Sequence, residues 1–348
     1  MQVAILGAGA IAYGNAAYLS REGHEVILWS PSGKRTSSLA GGAPLVASGA
    51  VEGEFHPRIA AGCAEALTAA EAVVVAVPGY GHRAVLEAAA PHLREEQTVI
   101  FSSHLSLAAL YLADLLRQRG ISTPIAALGT TVTTGRQTGP AAVTVSTIRS
   151  RLDVAVLPSA ATERGIEVCR LLFGDRFMAR PSLLAIALSN LNPQNHLAIA
   201  LCNLTRMELG EAWGQNRHIT PAVARLMEAL DAERLAIAGA FGLVVRTIHE
   251  HFHLSFGIPV GPLADMAKVL AQRPKDVAGP ISLESRYVTE DVPFGLVPTI
   301  RLANLAGVPV PLHEGGIAMM SALYGRDFVA ENDILPRLGD LSAALLLE

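Results

Sequence analysis

The chain opens on a five-residue apolar run, Gln2 to Leu6, bounded by glycine, the pattern of a short buried strand. An alanine-rich stretch with helical character runs on to about Arg21, and Glu25 to Trp29 is a second strand-like run. Further runs of this kind are Ala72 to Val77, Thr98 to Ser102, Pro124 to Leu128, Ala142 to Ser146 and Val154 to Leu157. Helical stretches fall near Arg83 to His92, Leu105 to Gln118 and Ala161 to Phe173. Strands alternating with helices predict an α/β domain on a parallel sheet. After Phe177 the pattern becomes helical, with segments Leu183 to Leu209, Pro221 to Val245, Pro262 to Ala271, Val297 to Ala306 and Gly316 to Leu323. Thr220-Pro221 is a good helix start, an N-cap followed by proline at the first helical position. The expected division is an α/β domain over 1–176 and a mostly α-helical domain over 177–348.

One helical segment breaks the usual partition of polar and apolar residues. Leu183 to Glu208 is almost uncharged, so it predicts burial, yet Asn190, Asn192, Gln194, Asn195 and His196 sit in its middle. Buried polar side chains cost free energy unless they are hydrogen-bonded, so something against this helix must supply partners. Asn192 and His196 are one turn apart and share a face. Pro193 disturbs the helix where these groups cluster. A core histidine bonded to a neighbouring carbonyl would leave the same signature.

The first turn of the chain carries candidate chemistry. Gly7-Ala8-Gly9-Ala10-Ile11-Ala12 reads G-x-G-x-x-A between a strand and a helix. Gly7 permits a tight turn, Gly9 lets the backbone approach a pyrophosphate, and Ala12 lets helix and strand pack closely. Ala10 and Ile11 open the helix whose N-terminus faces the phosphates. This is the fingerprint of a Rossmann dinucleotide-binding domain. The second strand ends at Ser30, where an NAD enzyme places an acid for the ribose hydroxyl. Here the chain reads Ser30-Pro-Ser32-Gly-Lys34-Arg35. Hydroxyls with Lys and Arg suit a 2'-phosphate, so NADP(H) is the expected cofactor, with NAD(H) as the alternative. Val77 and Pro78 end a strand and are expected to line the cofactor site, with His82 read as a helix-start residue.

Length and composition narrow the class. A chain of 348 residues suggests two domains, and 51% hydrophobic with 17% charged residues indicates a well-buried globular protein. A net charge of -4 gives no reason to expect a nucleic-acid partner. Cys63, Cys169 and Cys202 form no CxxC, which argues against a disulfide framework or a cysteine zinc site. The start lacks the basic residues of a signal peptide, and the polar groups after Arg180 argue against a membrane span. A cytoplasmic protein with no membrane partner is expected.

Two later motifs compete for attention. His249-Glu250-His251-Phe252-His253 satisfies H-E-x-x-H, but Phe256 stands where the longer zinc-protease form needs glycine. Histidines near a helix C-terminus also suit the macrodipole, so no catalytic metal is expected. Ser285 to Leu296, SRYVTEDVPFGL, combines acids, an arginine and an aromatic before the helix at Val297. Asp291 reads as an N-cap before proline or as a carboxylate within reach of a histidine.

Taken together, GAGAIA, SNLNPQNHLAIALCN and RYVTEDVPFGLVP make the chain resemble the opine dehydrogenases of the octopine and nopaline type over nearly its whole length. The resemblance implies reductive condensation of an amino acid with a 2-oxo acid such as pyruvate, through an imine reduced by a nicotinamide cofactor. It implies that His196 is the catalytic histidine, Asp291 its carboxylate partner and Asn192 a polar group at the substrate. Arg286, and after it Arg206 or Arg217, are candidates for the substrate carboxylate. A homodimer is expected. Ketopantoate reductases share the two-domain plan but rely on a lysine in the helical domain. This chain has only Lys34, Lys268 and Lys275, none within 183–245. A nucleotide-sensing protein without catalysis and a zinc hydrolase using HEHFH are the remaining alternatives.

Overall fold

The computed structural model describes residues 1–274, 276–339 and 341; Lys275 and the last residues of the expected helical domain lie outside the described residues. The chain forms two compact units, Met1–Ala187 joined by the described residues from Ile334 on, and Leu188–Asp333.

The first unit is built on strands β1 (Gln2–Leu6), β2 (Glu25–Trp29), β3 (Leu45–Gly49), β4 (Gly53–Phe55), β5 (Arg58–Ile59), β6 (Ala72–Val75), β7 (Thr98–Phe101), β8 (Ile125–Leu128), β9 (Thr133–Gly139), β10 (Ala142–Ile148), β11 (Leu152–Leu157) and β12 (Phe177–Ala179). Eight of them form the main sheet in the order β12-β11-β8-β7-β6-β1-β2-β5. The strands from β5 to β8 run parallel, with Ile5 beside Leu28 on one side and Val74 on the other. The expectation of a wholly parallel sheet needs correction at one edge, because β11 runs antiparallel to β8. The remaining four strands form a second sheet, β4-β3-β10-β9, so Ala142 to Ser146 is not part of the nucleotide sheet.

The helix Ala10–Arg21 packs against both sheets, which explains its run of small residues. Ala12, Ala16 and Ala17 are fully buried, and a Cβ on Gly14 would lie 2.9 Å from Thr133 Oγ1. Small residues at these positions let the helix approach both sheets closely.

The boundary expected after residue 176 falls later, between 187 and 188. Phe177–Ala179 is a strand paired with β11, so it belongs to the sheet. The single helix expected from Leu183 to Leu209 is three: Leu183–Ser189, Asn192–Cys202 and Leu204–Glu208. Pro193 sits in the first turn of the middle one, where its missing N–H costs nothing, and so starts a helix rather than bending one. The second unit then has the expected helices as Pro221–Ala240, Leu263–Ala271, Val297–Ala306 and Pro311–Tyr324, with one more, Ile248–Phe256, that the pattern did not set apart. Among the described residues no helix is long and apolar enough to cross a membrane.

Candidate active site

Each unit carries one group of the residues singled out by sequence. In the first, β1 ends at Gly7, whose φ of +141° and close approach to Ala76 require glycine: a Cβ there would lie 2.3 Å from the Ala76 carbonyl oxygen. The side chain of Val77 closes on the same point at 3.3 Å. Gly9 is the N-cap of the Ala10–Arg21 helix and provides no side-chain cap, and Gly9, Ala10 and Ile11 are partly accessible. An uncapped helix start with accessible backbone suits an anionic group. Pro78 stands at the N-cap of the short turn Gly79–Gly81 that follows β6.

Ser30 follows β2, with its Oγ buried and without a hydrogen-bond partner. Ser30 to Gly33 make a turn, and Lys34–Thr36 a single helical turn. Ser32, Lys34 and Arg35 are exposed. An Arg35 guanidinium nitrogen lies 3.8 Å from where a Gly9 Cβ would stand. Lys34 and Arg35 line a cavity of about 410 Å³ with Gln137, Gly139 and Pro140 from the β9–β10 hairpin. Buried Tyr13 holds the walls together: its hydroxyl lies 2.5 Å from the Arg35 carbonyl and 3.3 Å from that of Pro140. The orphaned Ser30 hydroxyl and the two cations fit a phosphorylated ribose, and the glycine cradle fits the pyrophosphate.

Sequence patterning missed the segment after β7. Ser103, Ser106 and Leu107 all adopt left-handed φ values, 75°, 53° and 55°. Such strain in residues other than glycine concentrates at functional loops. Ser102 accepts a hydrogen bond from Asn15 Nδ2 at 3.3 Å, and Asn15 Oδ1 accepts one from Thr133 at 2.9 Å, which ties this loop to the nucleotide helix and the second sheet. No residue-type signal in the sequence marks left-handed serines. His82 begins the helix His82–Ala89 and makes no polar contact at either ring nitrogen; burial pushes its pKa down to about 4. Burial pushes His104 down to about 3, aided by neighbouring His82. Both rings pack edge-on against Phe101 and serve as neutral core.

The second unit answers the question posed by the polar helix. His196 Nδ1 and Asp291 Oδ2 are 2.6 Å apart. Their side chains are 17% and 13% exposed, enough for a small molecule to reach the outer imidazole nitrogen. A carboxylate only accepts, so Nδ1 carries a proton, and in the neutral ring the lone pair is on Nε2. Asp291 stands at the N-cap position of a π-helical turn, Val292–Leu296, but its side chain makes no cap hydrogen bond there. π-turns recur at functional sites because the extra residue re-aims neighbouring groups. Gly295 makes the contact feasible, since a Cβ on it would lie 2.4 Å from Pro193 Cγ. Asn332 Nδ2 donates to the Pro293 carbonyl at 2.8 Å, and Thr299 donates to that of Gly295 at 2.9 Å, so the turn is well satisfied.

The other polar groups of the helix separate into roles. Asn190 Oδ1 accepts from the Asn192 N–H at 3.1 Å and so caps the helix start. Gln194 is buried and its Nε2 lies 3.2 Å from Nε2 of His313, which bonds Glu233 at 2.7 Å. Asn192 is exposed on the same face as His196. Sequence reasoning missed Tyr287, whose ring stacks on His196 at 3.5 Å between centroids and 10° between planes. Arg286 is paired with buried Glu290 through Nε, and its side chain is 73% exposed. Arg206 bonds Glu211 at 2.8 Å and is half in solvent. The HEHFH residues lie in a helix of their own, Ile248–Phe256, started by a Thr247–Glu250 capping box, not at the end of a longer one. His249 pairs with Glu228 at 3.0 Å and His253 with the Ile258 carbonyl at 2.6 Å. Among the described residues no group of three His, Cys, Asp or Glu is placed to hold a metal ion.

Residues 179–324 match the family profile described as NAD/NADP octopine/nopaline dehydrogenase, alpha-helical domain. Residues 3–152 match that of ketopantoate reductase PanE/ApbA. The chain is similar to an opine dehydrogenase of Arthrobacter sp. (strain 1C), 31% identical over 97% of this chain and 94% of that one. It is also similar to Protein ocs of Agrobacterium tumefaciens (strain Ach5), 27% identical over 94% and 92%. Among solved structures, octopine dehydrogenase with NADH and L-arginine superposes with a TM-score of 0.84, 18% identity and coverage of 100% and 98%. Yersinopine dehydrogenase with NADP+ bound gives 0.71, 17% identity and coverage of 100% and 97%.

Proposed function

The chain belongs to the opine dehydrogenase family, an oxidoreductase acting on CH–NH donors with a nicotinamide dinucleotide, and from that premise we propose that it condenses an amino acid with a 2-oxo acid such as pyruvate, preferring NADPH. The observation that carries this reading is the His196–Asp291 hydrogen bond of 2.6 Å.

Condensation needs proton traffic at one place. His196 Nε2 takes a proton from the ammonium of the amino acid, freeing its lone pair to attack the oxo carbon. The new C–N bond forms as the carbonyl π electrons move to oxygen. Asp291 stabilises the imidazolium and keeps Nε2 aimed outward. A proton of the new ammonium passes to that oxygen to give a carbinolamine, and the imidazolium then returns its proton as the C–O bond breaks and water leaves, giving the protonated imine. When bound, the reduced dinucleotide supplies the hydride that makes the imine a secondary amine. Asn192 hydrogen-bonds the substrate beside the imidazole, and Arg286, with Arg206 as the second choice, faces a carboxylate.

The residues fit the cofactor as the chemistry requires. Gly7, Gly9, Ala10, Ile11 and Ala12 hold the pyrophosphate at the helix start, flanked by Val77 and Pro78. Ser30, Ser32, Lys34 and Arg35 receive the 2'-phosphate. Support for NADPH is the pair of cations at the cavity, the orphaned Ser30 hydroxyl and the lack of an acid at the end of β2. The test is direct. Purified protein with pyruvate and an amino-acid panel should oxidise NADPH and release a secondary-amine dicarboxylate seen by mass spectrometry. Oxidation of NADPH with ketopantoate or pyruvate alone, giving a hydroxy acid, would favour the reductase reading. The homodimer, and a cytoplasmic setting, remain part of the proposal, checked by light scattering and fractionation.

A further inference from the structure

We infer that Tyr287 is a positioning residue for the proton-transferring imidazole, holding His196 in the plane that Asp291 alone does not fix; this rests on the role proposed for His196. The Asp291 bond restrains one edge of the ring. A hydrogen bond at Nδ1 leaves the ring free to swing about that contact, because the terminal torsion of histidine is broad. The flat face of Tyr287, 3.5 Å away and 10° from parallel, blocks the swing. It also covers one face of the imidazole, so access is by the other face and the Nε2 edge.

Tyr287 is itself held at both ends. Its N–H donates to Ser285 Oγ at 3.3 Å, and its hydroxyl donates to Gln215 Oε1 at 2.5 Å. The Gln215 N–H donates to the Val277 carbonyl at 2.7 Å. Asn216 anchors the same strip to Asp276, and Trp213 donates to the Pro280 carbonyl at 3.0 Å. A Cβ on Gly279 would lie 2.4 Å from the Trp213 ring, so this strip is tightly packed. Tyr287 and Asp291 are four apart on one helical stretch, so a single short segment presents both restraints to His196. That spacing gives the aromatic of the RYVTED stretch a chemical task.

The stack predicts a fall in turnover without a fall in binding. A general base must be held within about 10–20° of its productive geometry, and loss of aim lowers the chemical step. Tyr287→Leu and Tyr287→Met, the latter filling volume without a flat face, should each lower kcat about 10-fold or more, as misplaced catalytic groups do. KM for the amino acid and Kd for the dinucleotide should stay within about twofold by the same logic. Tyr287→Phe should restore kcat, because the ring face remains. In NMR, the carbon-bound ring protons of His196 should move downfield in Tyr287→Met as the ring current is lost. Turnover at the level of the unsubstituted enzyme in Tyr287→Met, with His196→Ala inactive, would overturn the inference and leave the base intact. Normal turnover in His196→Ala would remove the base and the inference with it.

Discussion

His196 Nδ1 is hydrogen-bonded to Asp291 Oδ2 across 2.6 Å, joining the helix that starts at Asn192 to a π-helical turn almost a hundred residues later. If they form the catalytic unit proposed above, their substitutions should not be independent. His196→Ala should lower kcat about 100- to 10,000-fold, the usual cost of removing a general base. Asp291→Asn should cost nearly as much, since an amide can present a donor to Nδ1 and invert the tautomer. The double substitution should add little, because members of one unit are non-additive. Steady-state kinetics on the two singles and the double decide it: effects that multiply would mean two independent residues.

The meeting of these residues depends on a missing side chain. Gly295 faces Pro193 so closely that a Cβ would stand 2.4 Å from Cγ. Gly295→Ala should force the π-turn away from the histidine helix. Overpacking of this kind costs about 1–3 kcal/mol. Activity should fall further than stability does, since Asp291 leads directly into the displaced turn. Chemical denaturation together with kcat measures both, and an alanine variant with full activity would show that the turn has room.

The proposed preference for NADPH makes the loop after β2 its test. Paired charge-assisted bonds to a 2'-phosphate should favour NADPH over NADH by about 1–3 kcal/mol. Lys34→Ala with Arg35→Ala should erase that preference. Tyr13→Phe should weaken it with the cations still present, because the hydroxyl ties the Arg35 backbone to Pro140. Equilibrium binding of both dinucleotides to the three proteins tests this. Equal affinities in the unsubstituted enzyme would defeat the assignment.

The chain shows which parts of this design can be read before folding. The nucleotide turn was legible because Gly7 and Gly9 act through local backbone shape, which sequence encodes directly. The polar cluster from Asn190 to His196 announced that partners were required, but their identity was a matter of packing. Asp291 had two plausible uses on paper, and its contact with His196, with no cap hydrogen bond of its own, chooses between them. Tyr287 drew no separate reading, since stacking leaves no periodic signal. The second sheet was misread because β10 has the composition of a nucleotide-sheet strand, while its partners β3 and β9 are too rich in Gly, Ser and Thr to stand out. HEHFH matched a motif by residue type alone, and its side chains are occupied with Glu228 and the Ile258 carbonyl.

Acid should unfold the first unit through its buried histidines. His82 is fully buried, its nitrogens lack partners, and burial lowers its pKa to about 4. In the unfolded chain a histidine titrates near about 6.5. Between those values the unfolded state binds a proton that the folded state refuses, so stability falls as pH falls. The loss begins near the unfolded pKa and is complete near the folded one. A depression of that size corresponds to about 3 kcal/mol. His104, lowered further for the same reason, adds to the slope. His82→Leu removes one of the two groups, so its Tm should exceed that of the unsubstituted protein by a margin that widens from pH 7 to pH 4. The imidazole nitrogens have no partners to lose, so the substitution leaves no orphaned polar group behind. Thermal melts at half-unit pH steps check this, and parallel curves for the two proteins would show that His82 takes up its proton in the folded state.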